Sequence, residues 1–260
     1  MGKTICVSNR KGGVGKTMTA VSLGIGLARS GASVLLIDAD PQHSLTISLG
    51  VKNPDKLSDT LSTIMDAILQ ETEIHPISGI IHNIEGVDLL PANNSLSGME
   101  LTLVPVIGRE TVIQQYIELV KDRYDYVIFD TSPSLGLLTV NALAASDYVM
   151  IPVTAKYLDA KGLELLLKTI SQVRRLFNPN LSVGGILLTM VDSRMKYTHE
   201  IIALIERAYG DNIRIFDERI PRSVRAAETS AAGQSIFSYD PHGKVAAAYA
   251  MLSEEVLRIA

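Results

Sequence analysis

The stretch Asn9-Arg10-Lys11-Gly12-Gly13-Val14-Gly15-Lys16-Thr17 lies between an apolar run, Thr4-Ile5-Cys6-Val7-Ser8, and an apolar-periodic segment over 20–28. The order is strand, glycine-rich turn, helix. Glycines without a Cβ let consecutive backbone N–H groups turn inward around a phosphate, and the new helix directs its positive end at the same place. Gly12, Gly13, Val14 and Gly15 supply that loop, with Met18 on the helical turn that follows it. Lys16 suits neutralisation of β- and γ-phosphate oxygens, and the Thr17 hydroxyl suits Mg²⁺. The competing reading is a tight turn with a solvated lysine, against which Gly-Lys-Thr stands between a strand and a helix. The loop departs from G-x-x-x-x-G-K-[ST] at its first position, where Arg10 replaces glycine, and it carries a second lysine, Lys11.

The chain has 260 residues, 47% hydrophobic and 20% charged, enough for one large α/β domain over 1–260 with a well-buried core. There is no run of 18 uninterrupted apolar residues, and the first segment reads as a core strand and not as a signal peptide. The single cysteine, Cys6, sits in that strand as a small buried hydrophobe. One cysteine excludes a disulfide within the chain and a four-thiolate metal or iron–sulfur site, and points to the cytoplasm. Lys and Arg number 24 against 28 Asp and Glu, a net charge of -4, so any contact with nucleic acid must come from a local patch.

Short unbroken apolar strands follow at 33–37, 86–91, 126–129, 148–152 and 181–190, with helical spacing at 57–70, 109–121, up to Phe177, and 244–259. In the second of those helices Val112, Tyr116, Leu119 and Val120 read as the buried side. In the last one Val245, Ala248, Leu252, Val256 and Ile259 face the core, leaving Glu254 and Glu255 outward. Continuous apolar strands alternating with helices predict a doubly wound, mostly parallel sheet with helices on both faces. Ligands bind such sheets beyond the carboxyl ends of the strands. Asp38-Ala39-Asp40 ends one strand and Asp130 another, positions that suit a metal shell, an oriented water or, more plainly, helix caps. Thr189-Met190-Val191-Asp192 has the spacing of a guanine-reading segment, but Met190 stands where a lysine would pack along the base, which favours ATP. Asp192 is equally a cap or a loop contact.

The loop with its early lysine resembles the deviant Walker A loop of the ParA/MinD ATPases, and the chain is similar to the short, chromosomal-type (Soj-like) ParA partition ATPases. The segments D-x-D-P-Q from Asp38, D-x-x-P-S from Asp130 and I-P-R-x-V-R from Ile220 extend the likeness over nearly the whole chain. The resemblance implies a P-loop NTPase fold with ATP and Mg²⁺ as cofactors. It also implies an ATP-dependent sandwich homodimer, non-specific binding of double-stranded DNA, weak hydrolysis stimulated by a ParB-like activator, and a nucleoid-associated cytoplasmic protein that partitions DNA. Residue by residue, it places Lys11 against the partner's phosphates, Asp38 in the magnesium surroundings, Thr17 and Asp130 on the metal, and Asp40 on the attacking water. Pro221 and Ser223 fall in its base-contacting loop, and Arg194, Arg222 and Arg225 match its DNA contacts. Charge without base reading suits a sugar–phosphate backbone. Interspersed Asp217, Glu218 and Glu228 make ordinary ion pairs the competing reading of these arginines and of Lys196 and Arg219.

Two departures qualify the likeness, and one further feature bears on the alternative. His43-Ser44 replaces the family's Gly-Asn, which leaves the shape after Gln42 open. Lys156 and Lys161 stand where Soj-type relatives carry glutamates, which leaves the pairing at the expected dimer face open. The tail has only Lys244 and Arg258 as basic residues, which argues against stable membrane association of the MinD kind. An ATP-dependent positioning regulator of the MinD or flagellar-number type, acting on a surface other than DNA, is the alternative function. A metabolic P-loop ligase or kinase would need an acceptor pocket, and no polar cluster over 51–110 suggests one.

Overall fold

The computed structural model describes residues 2–155 and 160–259. Eight strands form one sheet: β1 Lys3–Val7, β2 Val34–Ala39, β3 Ile81–Ile84, β4 Val87–Leu90, β5 Tyr126–Thr131, β6 Tyr148–Thr154, β7 Ser182–Val191 and β8 Ile215–Pro221. Their order is β3-β4-β2-β5-β1-β6-β7-β8. Every pairing is parallel except β3 with β4. The chain leaves β1, crosses to β2, and later inserts β5 between them, so the direction of winding reverses at β1. That reversal opens a crevice at the carboxyl ends of the central strands. In register, Val7 and Asp38 both pair with Asp130, which brings the end of β1 and the two acid-bearing strand ends to one level.

Alternation along each strand explains why both faces are covered. Ile5 and Val7, Val34 and Leu36, and Tyr126 and Ile128 pack on one side with α1 (Lys16–Arg29), α10 (Ile236–Tyr239) and α11 (Lys244–Ile259). Cys6, Leu35, Ile37, Val127 and Phe129 face the other side. There they meet α3 (Leu61–Leu69), α4 (Ser95–Leu103), α5 (Val112–Val120), α6 (Leu137–Ala144), α7 (Ala160–Leu176) and α8 (Lys196–Tyr209). Two further helices, α2 (Ser44–Ser48) and α9 (Val224–Ala232), stand near the carboxyl edge and pack on each other. Cys6 is fully buried, and burial pushes its thiol well above the ordinary range, as a core residue requires. No helix among the described residues is long and apolar enough to cross a membrane.

Some local expectations change. The helix expected over 57–70 begins only at Leu61, because Thr60 is extended (φ -148°) and closes a capping box, its backbone N–H donating to Thr63 Oγ1 at 2.8 Å. Strand β3 was not expected: two of its four residues are polar and exposed, and it pairs only at the sheet edge. Leu119 is 46% exposed; Ile113 and Ile117 fill the buried stripe of α5 instead. On α11, Ile259 is exposed and Glu255 is buried, where it accepts from Arg214 Nη2 at 3.0 Å and from the backbone N–H groups of Asp217 and Glu218. A carboxylate with that many donors is stable inside, so the acid expected on the surface ties α11 to β8.

Candidate active site

The phosphate loop is held from below by side chains on either side of it. Asn9 donates from Nδ2 to the Pro152 carbonyl at 2.7 Å, and its Oδ1 accepts from the Lys11 N–H at 3.0 Å. Thr189 donates from Oγ1 to the Val14 carbonyl at 2.8 Å, so the end of β7 clamps the loop's middle. Gly15 has φ 88° and Gly13 φ 70°, conformations that side chains resist. A Cβ on Gly12 or Gly13 would meet nothing of this chain within 4 Å. Their bareness therefore leaves room for what enters the loop. Helix α1 starts at Lys16 with no side chain capping its first N–H groups and no acid in its first turn. Uncapped donors and the positive end of a 14-residue helix thus face the loop's hollow.

The floor carries the charges. Lys16 is buried (7% exposed) and donates from Nζ to the Lys11 carbonyl at 3.3 Å. Burial lowers its ammonium from the ordinary value, while Asp130 and Asp40 favour its charge. Asp130 is fully buried, and neither of its oxygens has a hydrogen-bond partner of proper geometry. Its carboxyl is raised well above the usual range, first by burial and then by the neighbouring Asp38; the Thr17 hydroxyl and Lys16 act in the opposite sense. An unpartnered carboxylate in the interior is among the costlier arrangements in a protein, and a bound cation offsets it. Asp38 is different. Its Oδ2 accepts from the Thr46 N–H at 2.8 Å and from Thr46 Oγ1 at 2.6 Å, and its Oδ1 accepts from the Asp40 N–H at 3.2 Å. Burial still pushes its carboxyl up to about 6.

Among the described residues no three acids, histidines or cysteines gather as a metal cage. Mg²⁺ fits such a place, since it takes one or two protein oxygens and completes its shell with waters and phosphate oxygens. Asp130 and the neighbouring Thr17 hydroxyl offer oxygens for it. Asp38, with both oxygens engaged by the chain, belongs to the surroundings.

Above the floor lies a cleft of about 600 Å³. The structure brings Gly12, Gly13, Gly15, Lys16, Thr17 and Met18 into its walls together with Asp40, Pro221 and Ser223. Val14 is turned inward and contributes its carbonyl to the clamp from Thr189. Lys11 is half-buried and does not wall this cleft. Asp40 is 8% exposed, and its Oδ1 accepts from the Gln42 N–H at 2.9 Å. His43, where the family has glycine, adopts φ 45° ahead of α2. Asn9 and Thr46 were given no role from sequence, Thr189 was read only in the Thr-x-x-Asp spacing, and Ser44 only as a departure after Gln42. Asn9 adjoins the glycine loop and Thr189 ends a strand, which are the signals that point to them; Thr46 has no such mark.

The arginines divide. Arg194 is 90% exposed and bonds Asp192 through Nε at 3.1 Å and Nη2 at 3.2 Å, which also holds Asp192 below the usual carboxylate range. Arg225, on α9, donates to Asp240 at 2.8 Å, and Arg219 to Glu206 at 3.0 Å. Arg222 is exposed, but it borders the nucleotide-sized cleft and its N–H bonds the Val191 carbonyl at 3.1 Å. It therefore stands between the cleft and the patch expected of it. Lys156 lies outside the described residues, and Lys161 is exposed in the first turn of α7.

The comparisons accord with this geometry. The model of a family described as "AAA domain" matches residues 2–183. The chain is 41% identical over 256 residues to the sporulation initiation inhibitor protein Soj of Bacillus subtilis, covering 98% of each chain. Among solved structures, it superposes with a TM-score of 0.85 at 34% identity on a cobyrinic acid a,c-diamide synthase from Mycobacterium smegmatis bound to ADP and magnesium, covering 99% of this chain and 95% of that one. It also superposes with a TM-score of 0.79 at 26% identity on a putative plasmid partition protein from Borrelia burgdorferi bound to AMPPNP, covering 100% of both chains.

Proposed function

This chain belongs to the AAA domain family, among the ParA/MinD-type ATPases that include Soj, and from that premise we propose that it partitions DNA as an ATP-switched dimer. In this reading ATP closes a sandwich of two copies, the dimer lies on double-stranded DNA without reading its sequence, and a ParB-like activator raises a weak ATPase and releases the dimer. The protein then works in the cytoplasm on the nucleoid. The observation that carries the MgATP part of the reading is Asp130, a buried carboxylate without a hydrogen-bond partner, set beside a buried lysine under an uncapped helix end.

Each residue has a task in that scheme. The N–H groups of the glycine loop and Lys16 bind and orient the phosphates, and Asp130 with Thr17 would hold Mg²⁺. When bound, Mg²⁺ neutralises the charge that develops on the phosphate oxygens. Asp40, at the cleft wall with one oxygen anchored to Gln42, orients the attacking water. Lys11, outside its own cleft, reaches the nucleotide of the second copy. Pro221 and Ser223 border the base. Arg194 and Arg225, with Arg222 beside them, supply phosphate contacts that dimerisation doubles.

The test is retention on a random-sequence duplex with and without MgATP, across a salt series, with light scattering in parallel. Retention should require MgATP, fall steeply as salt rises and hardly depend on sequence, because each neutralised phosphate releases counterions. Lys11→Ala should still bind ATP yet form no ATP-dependent dimer. No retention at low salt overturns the DNA reading in favour of a positioning regulator on another surface. Turnover that requires a small-molecule acceptor, as a synthase would show, overturns both.

A further inference from the structure

Beyond the acids and lysines of the cleft, one fully buried hydroxyl governs how the segment bearing Asp40 is placed. Thr46 lies in the middle of α2 with no exposed surface. Its N–H and its hydroxyl both donate to Asp38 Oδ2, at 2.8 and 2.6 Å. The hydroxyl oxygen in turn accepts from the Ala92 N–H at 3.0 Å, just past the end of β4. Asp38 passes the restraint on, since its other oxygen accepts from the Asp40 N–H at 3.2 Å. Residues 38–46 are thereby closed into a loop by one carboxylate and pinned to the neighbouring strand by one hydroxyl. Inside that loop, Asp40 Oδ1 takes the Gln42 N–H and its carbonyl takes the His43 N–H at 2.8 Å. His43 itself sits at φ 45°, a backbone conformation that needs restraint from its surroundings to persist in a residue with a Cβ.

We propose that Thr46 is a positioning residue for ATP hydrolysis, its hydroxyl holding Asp38 and through it the backbone of Asp40. The proposal rests on the reading of Asp40 as the residue that orients the attacking water. Removing the hydroxyl leaves Asp38 Oδ2 with a single donor and the Ala92 N–H with no acceptor. Asp38 can then turn, and the anchor on the Asp40 N–H moves with it. The phosphate-binding groups come from residues 12–17, whose own supports are Pro152 and Thr189, so nucleotide affinity is carried by a separate set of contacts.

Three variants test this, each measured for ATP affinity by titration calorimetry, for turnover and for thermal unfolding. Thr46→Val keeps the shape and loses the hydroxyl; turnover should fall about 10- to 100-fold, the usual loss when an outer-shell partner is removed, with ATP affinity unchanged. Thr46→Ser should restore turnover. Thr46→Val combined with Asp40→Ala should be no slower than Asp40→Ala alone, because both act through one group. Parental turnover in Thr46→Val, failure of serine to rescue, loss of ATP affinity in step with turnover, or multiplied losses in the double variant would each overturn the proposal. If Thr46→Val does not fold, Thr46→Ala carries the same expectation; failure of both to fold assigns the residue to the fold and overturns it too. Parental turnover in Asp40→Ala sinks the reading of Asp40 itself, a result distinct from failure at Thr46.

Discussion

The floor of the cleft and the exposed arginines outside it hold charge in opposite ways. On the floor, Lys16, Asp38 and Asp130 are buried, and Asp130 has no hydrogen-bond partner. Outside the cleft, Arg194, Arg219 and Arg225 stand in solvent, each with an acid within 3.1 Å. A buried group that the chain itself leaves unsatisfied points to a ligand, since nothing in the fold offsets its desolvation. An exposed arginine with a neighbouring acid points nowhere by itself, because water and the acid already serve it. DNA must therefore compete with Asp192 and Asp240 for Arg194 and Arg225, whereas the buried Asp130 has no hydrogen-bonded group that a metal would have to displace.

Breaking the floor should have the largest effect. Lys16→Ala is expected to abolish ATP binding and turnover while the unfolding temperature moves by no more than about 4 °C, equivalent to about 1 kcal/mol at this size. Wild-type turnover in that variant would remove the site assignment. Asp130→Asn sharpens the contrast by separating function from stability: turnover should be lost, and the metal-free protein should be no less stable than the parent. The pH dependence carries the sign. Asp38 and Asp130 both have carboxyls raised on folding, so the stability they contribute is full below the unfolded value of about 3.9 and is lost as pH rises through the folded one. For Asp38 the folded value is about 6. The metal-free parent should therefore lose stability from about pH 4 to about pH 7, and Asp130→Asn should flatten that decline. A parent whose stability climbs over that window contradicts the buried-acid account.

Changing the exposed arginines should show in binding and hardly in the fold. Arg225→Glu replaces a phosphate contact with repulsion, weakening retention on every duplex alike and reducing the salt slope by about 1 per site. ATPase activity without DNA should be kept. Unchanged retention would move the DNA contact elsewhere. The smallest effect belongs to Arg219→Ala, which removes a pair exposed on both sides and should alter chemical stability by less than about 1 kcal/mol. A loss of several kcal/mol in a urea titration would show that this pair is structural.

The strands and the phosphate loop were legible because burial on both faces leaves an unbroken apolar run, and because only glycine, lysine and threonine do what the loop requires. β1, β2, β5, β6 and β7 lie within a residue or two of their expected places. Over 51–110 the pattern was weaker. β3 is short, half polar and paired on one side only, and the start of α3 is decided by whether Thr60 caps, which depends on Thr63 and not on hydrophobic period. Glu255 and Leu119 illustrate the same limit from the side-chain end. Helical spacing gives a stripe, but which residue at its margin is covered depends on the neighbour it meets, here Arg214 and the backbone of β8 for Glu255.

By itself the sequence determined that a phosphate-binding turn sits between a core strand and a helix, that acids end the strands around it, and that parallel winding places them at one edge. Those features are local, so a few adjacent residues suffice to state them. Only the tertiary structure decided that Asp38 is engaged and Asp130 is not. It also decided that Arg222 borders the cleft while Arg225 faces Asp240, and that Thr46 closes the segment carrying Asp40. Each of these turns on which donor or acceptor from a distant part of the chain arrives within about 3 Å. A hydrogen bond has no memory of sequence distance, and no pattern along the chain records it.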